Sequence, residues 1–531
     1  MLTKIAILGV YFAIILLLGF SARSRRGEGP GQYFLAGRGL STLVLVGTMA
    51  ATNFSAFTIF GASGAGYRDG LAFYPIMGFG TGFMALSFLL LGLKIWRLGR
   101  EHELVTPAEL VGKLYGNRLL SALFALVMIV FTVPYLALQP LAAGKVIGQL
   151  FGVPLWVGAV LVTGIILAYT WRGGLRAVAW NDVFQGLVML TLMIAALAMV
   201  VAYNGGWTVA FGRVLESSPA LLSRPGERGL YTPMLWFSYM ILWFFCDPMF
   251  PQLFQRFYVA KSPRALAQTA LLYPLICTVF FALPISMGVL GRLNFPGLKG
   301  AEADNIVPLL ATSLGGDVLG TLVLVAGLAA LMSTMDSQLL TVGSIFSRDI
   351  YPLAARRAAG SAVGRVFVAA LAAAGLLVAL GSDATILDLG VTAFTGLAVL
   401  FPTVFFGLYL GKPRPAAAIS SIVVGEAFAV AYHLRLLPDF GFLPAIPVIA
   451  ASLITYLVVK ARHSLRLPLP RGANAVATVA FVAIFVAALD FWRWGEVGSL
   501  ILGWPLWVWH FVALSLAQFA VTWWWLRQEK A

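Results

Sequence analysis

Two adjacent hydroxyl residues, Ser333 and Thr334, lie deep inside a long apolar stretch of the sequence. A second apolar stretch is interrupted by the run Thr52-Asn53-Phe54-Ser55, which favours an unwound backbone. Hydroxyl and carbonyl oxygens are ligands that hard cations prefer. Because they are neutral, they suit a cation that must bind and leave again. The two runs predict a transient sodium site, although hydroxyls bonded to the carbonyl four residues back explain Ser333 and Thr334 equally well.

A carboxylate, Asp247, lies in another apolar stretch, with Pro248 directly after it and Pro251 three residues further on. Prolines inside a helix break or kink it, and an ionisable residue at bilayer depth points to a functional role. Trp243 and Gln252 flank this carboxylate on either side. Asp247 could contact a cation, a polar substrate or a proton. It could equally face an outer vestibule or pair with a structural partner.

The elements that position these residues follow from the composition. The chain has 531 residues, of which 60% are hydrophobic and 11% are charged. Soluble proteins carry about 25% charged residues, so this composition excludes an ordinary soluble enzyme and a disordered protein. The two cysteines provide neither a disulfide framework nor a zinc-binding spacing. We therefore expect an all-α polytopic membrane protein, embedded in a lipid bilayer, whose helices satisfy their own backbone polar groups.

Fifteen stretches are long and apolar enough to be candidate membrane spans. They cover residues 2–20, 40–64, 71–95, 119–147, 153–169, 182–203, 233–254, 267–290, 318–345, 366–380, 384–409, 416–432, 443–459, 476–491 and 500–526.

Basic residues indicate how these spans are oriented. With the N-terminus outside the cell, every predicted cytoplasmic segment is basic, as the positive-inside rule requires. The C-terminus is then cytoplasmic, and the protein is expected in the cell membrane. The net charge of +15 is explained by these loops, so nucleic acid is not expected as a partner. Arg23, Arg25 and Arg26 follow the first apolar stretch, which favours a retained helix over a cleaved signal peptide.

The two interrupted spans, the second and the seventh, are five spans apart and run in opposite directions. Broken helices at matching positions are typical of transporters built from inverted repeats. We therefore predict an N-terminal extra helix and basic cytoplasmic loop over residues 1–39 and two five-helix repeats over residues 40–203 and 233–410. An extracellular loop over residues 204–232 separates the repeats, and about four extra helices follow over residues 411–531.

Several motifs resemble those of the sodium/solute symporter family, which includes proline, pantothenate, monocarboxylate and glucose cotransporters. In order along the chain they are Phe34-Leu35-Ala36-Gly37-Arg38, Thr52-Asn53-Phe54-Ser55, Gly173-Gly174-Leu175-Arg176-Ala177-Val178-Ala179-Trp180-Asn181-Asp182, Met332-Ser333-Thr334-Met335-Asp336-Ser337-Gln338-Leu339-Leu340 and Asp349-Ile350-Tyr351.

This resemblance implies a leucine-transporter-type 5+5 inverted repeat that works by alternating access. It also implies sodium as the coupling ion, bound by the carbonyls of Ala51, Phe54 and Ala330 and by the hydroxyls of Ser333 and Thr334. A further implied position is Asp182, near the inner sodium exit. An exposed cap at the start of the sixth span is an alternative for Asp182.

The solute is expected at the midplane, between the broken helices. The candidate solute-binding residues are Asn53, Ser55, Tyr135, Gln139, Trp243, Asp247 and Gln252. The proline branch has an aspartate where this chain has Asn53, which puts a second strongly held sodium in doubt. It also has Gly-Gln-Pro-His where this chain has Met249-Phe250-Pro251-Gln252, so proline specificity is not supported.

The resulting prediction is sodium-coupled uptake of a small organic solute, such as a monocarboxylate, a pantothenate-like acid or an amino acid. Proton coupling on the same fold, with Asp247 or Asp182 as the proton carrier, is the nearest alternative. An integral-membrane enzyme needs a polar catalytic cluster, which the sequence lacks, so no catalytic residues are predicted. A sensor is a further alternative, and the identity of the solute and the oligomeric state cannot be derived from the sequence.

Overall fold

The structure is a computed structural model that describes residues 1–21, 30–356, 361–382, 384–438, 440–461 and 470–528. The basic residues Arg23, Arg25 and Arg26, which supported the orientation of the first span, lie outside these ranges.

Within the described residues the fold is helical apart from one short hairpin, β1 (Leu500–Ile501) and β2 (Trp504–Pro505). The helices of eight residues or more are α1 (Leu2–Ser21), α2 (Thr42–Asn53), α3 (Ala62–Asp69), α4 (Leu93–Glu101), α5 (Pro107–Tyr115), α6 (Arg118–Phe151), α7 (Leu155–Tyr203), α8 (Trp207–Ser217), α9 (Pro233–Cys246), α10 (Pro251–Val259), α11 (Pro263–Asn294), α12 (Ile306–Leu314), α13 (Gly316–Ile345), α14 (Ser361–Leu380), α15 (Ile386–Ala398), α16 (Phe401–Tyr409), α17 (Pro415–His433), α18 (Ala445–Ala461), α19 (Ala473–Leu489) and α20 (Leu506–Gln528). Short helical turns from Phe73 to Gly92 connect α3 to α4.

Eleven helical runs in the described residues are long and apolar enough to cross a membrane, and three shorter apolar helices accompany them. Each of the fifteen predicted spans contains helix, so the prediction of a polytopic helical membrane protein is confirmed. Which side of the membrane each terminus occupies stays a prediction.

The first helix is packed into the protein. The buried hydroxyl of Tyr11 on α1 donates to Met332 Sδ on α13 at 3.8 Å. The same hydroxyl accepts a hydrogen bond from Gln185 Nε2 on α7 at 3.2 Å. These contacts pack α1 against α7 and α13.

Both predicted helix breaks are present. Helix α2 ends at Asn53, and Phe54 has non-helical backbone angles before a wide helical turn begins at Phe57. Helix α9 ends at Cys246, a short 3-10 turn covers Asp247–Met249, and α10 begins at Pro251. Pro251 removes a backbone donor and sets the start of the new helix, which is where proline is tolerated.

The predicted cytoplasmic loop between the fifth and sixth spans is largely helical. Helix α7 is interrupted at Gly174, whose φ of 59° lies in the left-handed region that favours glycine. A Cβ on Gly174 would also meet the carbonyl oxygen of Tyr33 at 2.7 Å. Because the second half of α7 starts right after this glycine, Asp182 lies two turns inside the helix and is fully buried. The alternative of an exposed cap at Asp182 is therefore wrong.

The long loop after α7 is packed against the C-terminal helices. Its residue Arg224 is fully buried and pairs with Asp490 at 2.8 Å. The guanidinium also lies 4.7 Å from the ring centre of Trp494 and 4.8 Å from that of Trp507. Burial lowers the pKa of Arg224, and the charge of Asp490 opposes that shift. The loop thereby joins the C-terminal helices to the rest of the protein.

Candidate ion and solute site

Oxygen atoms from α2 and α13 meet at the break in α2. The Ser333 hydroxyl donates to the Ala51 carbonyl at 2.8 Å and lies 3.0 Å from the Ala330 carbonyl. The Thr334 hydroxyl lies 2.9 Å from the Thr52 carbonyl and 3.3 Å from the Ala330 carbonyl. All five residues are buried. We call this group of five oxygens the oxygen cluster.

The cluster exists because α2 stops in the middle of the protein. The last carbonyls of a helix have no partner within that helix, and the Ser333 and Thr334 hydroxyls supply partners from α13. The two hydroxyls also bond to the Ala330 carbonyl of their own helix, as the alternative interpretation expected, and the sodium site stays a prediction. A hydroxyl oxygen keeps its lone pairs when its proton turns away, so the five neutral oxygens suit a hard cation.

The cluster differs from the predicted ligand set at two residues, Thr52 and Phe54. The Thr52 carbonyl was not predicted, although it follows Ala51 on the same helix end, just as Thr334 follows Ser333. Two consecutive hydroxyl residues can reach two consecutive carbonyls, and this pattern could have predicted the Thr52 carbonyl as a ligand. Phe54, which was predicted, lies at the break itself, and its amide donates to the Ala50 carbonyl at 2.9 Å. Its carbonyl has no described contact with the hydroxyl pair.

A buried ion pair lies next to the cluster. Nη2 of Arg256 on α10 donates to Oδ2 of Asp182 on α7 at 2.8 Å, and both side chains are fully buried. The same Nη2 lies 2.5 Å from the Thr52 hydroxyl and 2.8 Å from the Ser337 hydroxyl. Thr48 also donates to the Asp182 carboxylate. The network joins α2, α7, α10 and α13 around one charge pair.

Sequence reasoning found Asp182 but not its partner. Arg256 lies two residues beyond the seventh predicted span, and nothing in its sequence neighbourhood points to Asp182. A buried arginine without a carboxylate is very unfavourable, and this was the signal that could have linked the two residues. Oδ1 of Asp182 has no partner among the described residues, and neither has Oδ1 of the nearby Asp336.

A cavity lies beside both helix breaks, with about 280 Å³ of empty space when the part open to solvent is included. Five predicted solute-binding residues line it: Asn53, Ser55, Tyr135, Trp243 and Asp247. Its remaining lining residues were not predicted: Phe57, Thr58, Met77, Thr81, Phe250, Phe281 and Phe394.

The other two candidates do not line this cavity. Gln139 accepts a hydrogen bond from the Ala56 amide at 3.2 Å and donates to the Tyr135 carbonyl at 3.3 Å, so it supports the break in α2. Gln252 is fully buried on α10, and its amide atoms have no partner among the described residues. Helical spacing alone could not decide which side of a broken helix faces the cavity.

The cavity and the oxygen cluster share one segment of chain. Asn53, which lines the cavity, directly follows Thr52, whose carbonyl belongs to the cluster. The Asn53 side chain is held by Tyr273 on α11, at 2.7 Å between Nδ2 and the hydroxyl. A change in the backbone at Thr52 therefore moves a residue that borders the cavity.

The sodium:solute symporter family model matches residues 33–425, about three quarters of the chain. This chain belongs to the sodium:solute symporter family. Its match includes both helix breaks, the hydroxyl pair and the cavity. Sodium is the coupling ion of this family, so the predicted membership and coupling ion are confirmed.

Curated relatives match about 85% of this chain. The sodium/pantothenate symporter of Escherichia coli is 28% identical over 463 residues, which are 84% of this chain and 94% of the relative. That of Haemophilus influenzae is 26% identical and covers 85% and 96%. A sodium/proline symporter of Staphylococcus aureus is 27% identical and covers 85% and 91%. These family members are transporters, and their names span two different solutes.

Solved structures agree on the fold. A Na+-coupled sialic acid symporter in a substrate-bound, outward-open state has a TM-score of 0.73 at 19% identity, covering 87% of this chain and 98% of that one. Mhp1, a nucleobase-cation-symport-1 family transporter, has a TM-score of 0.56 at 14% identity, covering 81% and 94%. The predicted leucine-transporter-type fold is thereby confirmed.

Proposed function

We propose that this protein moves a small organic solute across the cell membrane by symport with sodium, which binds at the oxygen cluster. The ligands are the carbonyls of Ala51, Thr52 and Ala330 and the hydroxyls of Ser333 and Thr334. The observation that carries this proposal is that the break in α2 contributes both to the cluster and to the cavity. Phe54, at the same break, remains a candidate ligand.

The shared segment explains how ion and solute are coupled. Sodium draws the carbonyls of Ala51 and Thr52 towards α13 and fixes the backbone that carries Asn53. The cavity is then ordered before the solute arrives, which lowers the entropic cost of binding. Because coupling between two sites is reciprocal, the bound solute must also tighten sodium binding.

The ion pair between Asp182 and Arg256 is proposed to line the route by which sodium leaves. Thr52 contributes its carbonyl to the cluster and its hydroxyl to the ion pair. Because Oδ1 of Asp182 has no partner among the described residues, it can accept a cation that leaves the cluster. The Arg256 guanidinium limits how long a cation stays there, because like charges repel.

Uptake by purified protein in liposomes tests the proposal. We expect an inward sodium gradient to drive accumulation of a radiolabelled solute, and a sodium ionophore to abolish it. A potassium gradient should give no accumulation. Accumulation driven by a proton gradient without sodium would contradict the proposal and favour the proton-coupled alternative. The predicted sidedness is tested separately, by labelling single cysteines introduced at either end of the chain in intact cells.

A further inference from the structure

The cavity contains a buried carboxylate without a counter-charge. Asp247 is 3% exposed, and it takes part in none of the ion pairs found among the described residues. Its Oδ1 accepts a weak hydrogen bond from the Cys246 thiol at 3.3 Å. Among the residues that the structure describes, no lysine, arginine or histidine lines the cavity. An unpaired buried charge is strongly unfavourable, so this wall of the cavity favours a positively charged occupant.

Six of the twelve residues that line the cavity are aromatic. Ring centres of Phe394 lie 4.8 Å from Tyr135, 4.9 Å from Phe250 and 5.5 Å from Trp243. Phe57 adds a fifth ring, 5.7 Å from Trp243. All five rings line the cavity. Aromatic faces attract organic ammonium groups through the ring quadrupole, and such cages recognise methylated amines.

Two polar groups in the lining lack a hydrogen-bond partner among the described residues. They are the indole N–H of Trp243 and the hydroxyl of Thr81. An indole N–H can only donate, so it calls for an acceptor such as a carboxylate or hydroxyl on the occupant. The enclosed space is small, so it suits only a compact occupant.

We infer that the transported solute carries a compact organic ammonium group that pairs with Asp247 inside the aromatic wall. The same solute has an acceptor for the Trp243 N–H, as an amino acid, a betaine or an amino alcohol does. Asp247 is then the specificity-determining residue, because an anion without an ammonium group would face its like charge. This inference rests on the proposed function and narrows its solute class.

Sodium is a poorer occupant for Asp247. A hard cation prefers a shell of oxygens, whereas half of the residues that line this cavity are aromatic. The oxygen cluster already provides such a shell of neutral oxygens. One of them is the carbonyl of Thr52, which directly precedes Asn53 in the sequence.

Isosteric pairs test the inference directly. Binding is measured by thermal shift on the full-length protein, in sodium and in potassium. Choline is compared with 3,3-dimethylbutan-1-ol, and L-alanine with 2-methylpropanoate, so that within each pair an ammonium group is replaced by carbon. Glycine betaine, L-proline, pantothenate and propionate complete the panel. Each compound is tested on the wild type and on Asp247→Asn. The matched control variant is Glu426→Gln, which removes a buried carboxylate on α17, outside the cavity.

We expect at least one ammonium compound to bind in sodium, and its carbon isostere not to bind. Asp247→Asn should weaken that binding at least about 30-fold, as loss of one partner in a buried charge pair does, while Glu426→Gln should not. Binding of pantothenate, propionate or a carbon isostere would overturn the inference, and so would a panel in which no ammonium compound binds. Loss of sodium stabilisation in Asp247→Asn without solute would place an ion there and also overturn it. If sodium alone fails to stabilise the wild type, the proposed function itself has failed.

Discussion

Replacing Ser333 and Thr334 together by alanine should abolish stabilisation of the protein by sodium. The double variant removes two of the five oxygens in the cluster and leaves the Ala51 and Thr52 carbonyls without their hydroxyl partners. Each buried carbonyl left unsatisfied costs about 1–3 kcal/mol. We therefore expect a lower melting temperature even in potassium, and comparisons must be made within each variant.

The size of the sodium effect follows from mass action. At a sodium concentration 100 times the Kd, binding adds about 2.7 kcal/mol to the free energy of unfolding. If loss of both hydroxyls raises the Kd about 100-fold, the same concentration adds only about 0.4 kcal/mol. The assay is thermal unfolding of the purified protein at constant ionic strength, with sodium replaced stepwise by potassium.

A second hydroxyl pair on the same helix provides the matched control. Thr341 and Ser344 are buried on α13, and the Thr341 hydroxyl donates to Oε1 of Gln255 at 2.6 Å instead of to the break. Thr341→Ala/Ser344→Ala should lower stability and keep the sodium response. The reasoning is refuted if Ser333→Ala/Thr334→Ala retains the sodium-specific shift, or if the control pair loses it equally.

Two further perturbations address the packing around the site. Asp182→Asn should destabilise the protein by about 3–5 kcal/mol, because it leaves the Arg256 guanidinium buried without its counter-charge. Adding Arg256→Met to it should recover part of that loss, and a purely additive double-mutant cycle measured by thermal unfolding would contradict the pairing. Gly288→Ala should destabilise by about 1–3 kcal/mol, because its new Cβ would overlap the Ser63 carbonyl. Gly164→Ala, on a helix with open space around the new methyl group, should be neutral or stabilising by up to about 1 kcal/mol.

The helix breaks were predictable because their causes are local. Pro248 and Pro251 restrict the backbone wherever they occur, so the interruption after Cys246 follows from neighbouring residues alone. The hydroxyl pair was predictable for the same reason, because two adjacent hydroxyl residues in an apolar stretch can be recognised from the sequence alone. The full length of α7 was not predictable. Arg172 and Arg176 flank Gly174, and charged residues around a glycine are typical of a loop, although the helix resumes right after this glycine.

The sequence by itself determined the class of protein and the places where its helices break, since apolar length and proline chemistry act over a few residues. Only the tertiary structure decided which side chains meet there. Arg256 and Asp182 are 74 positions apart, and their pairing depends on how α7 and α10 pack together. The rings that line the cavity together with Asp247 come from several separate segments of the chain, and no local pattern predicts that they converge. Asp247 becomes a recognition group only because the fold buries it beside residues that are distant in the sequence.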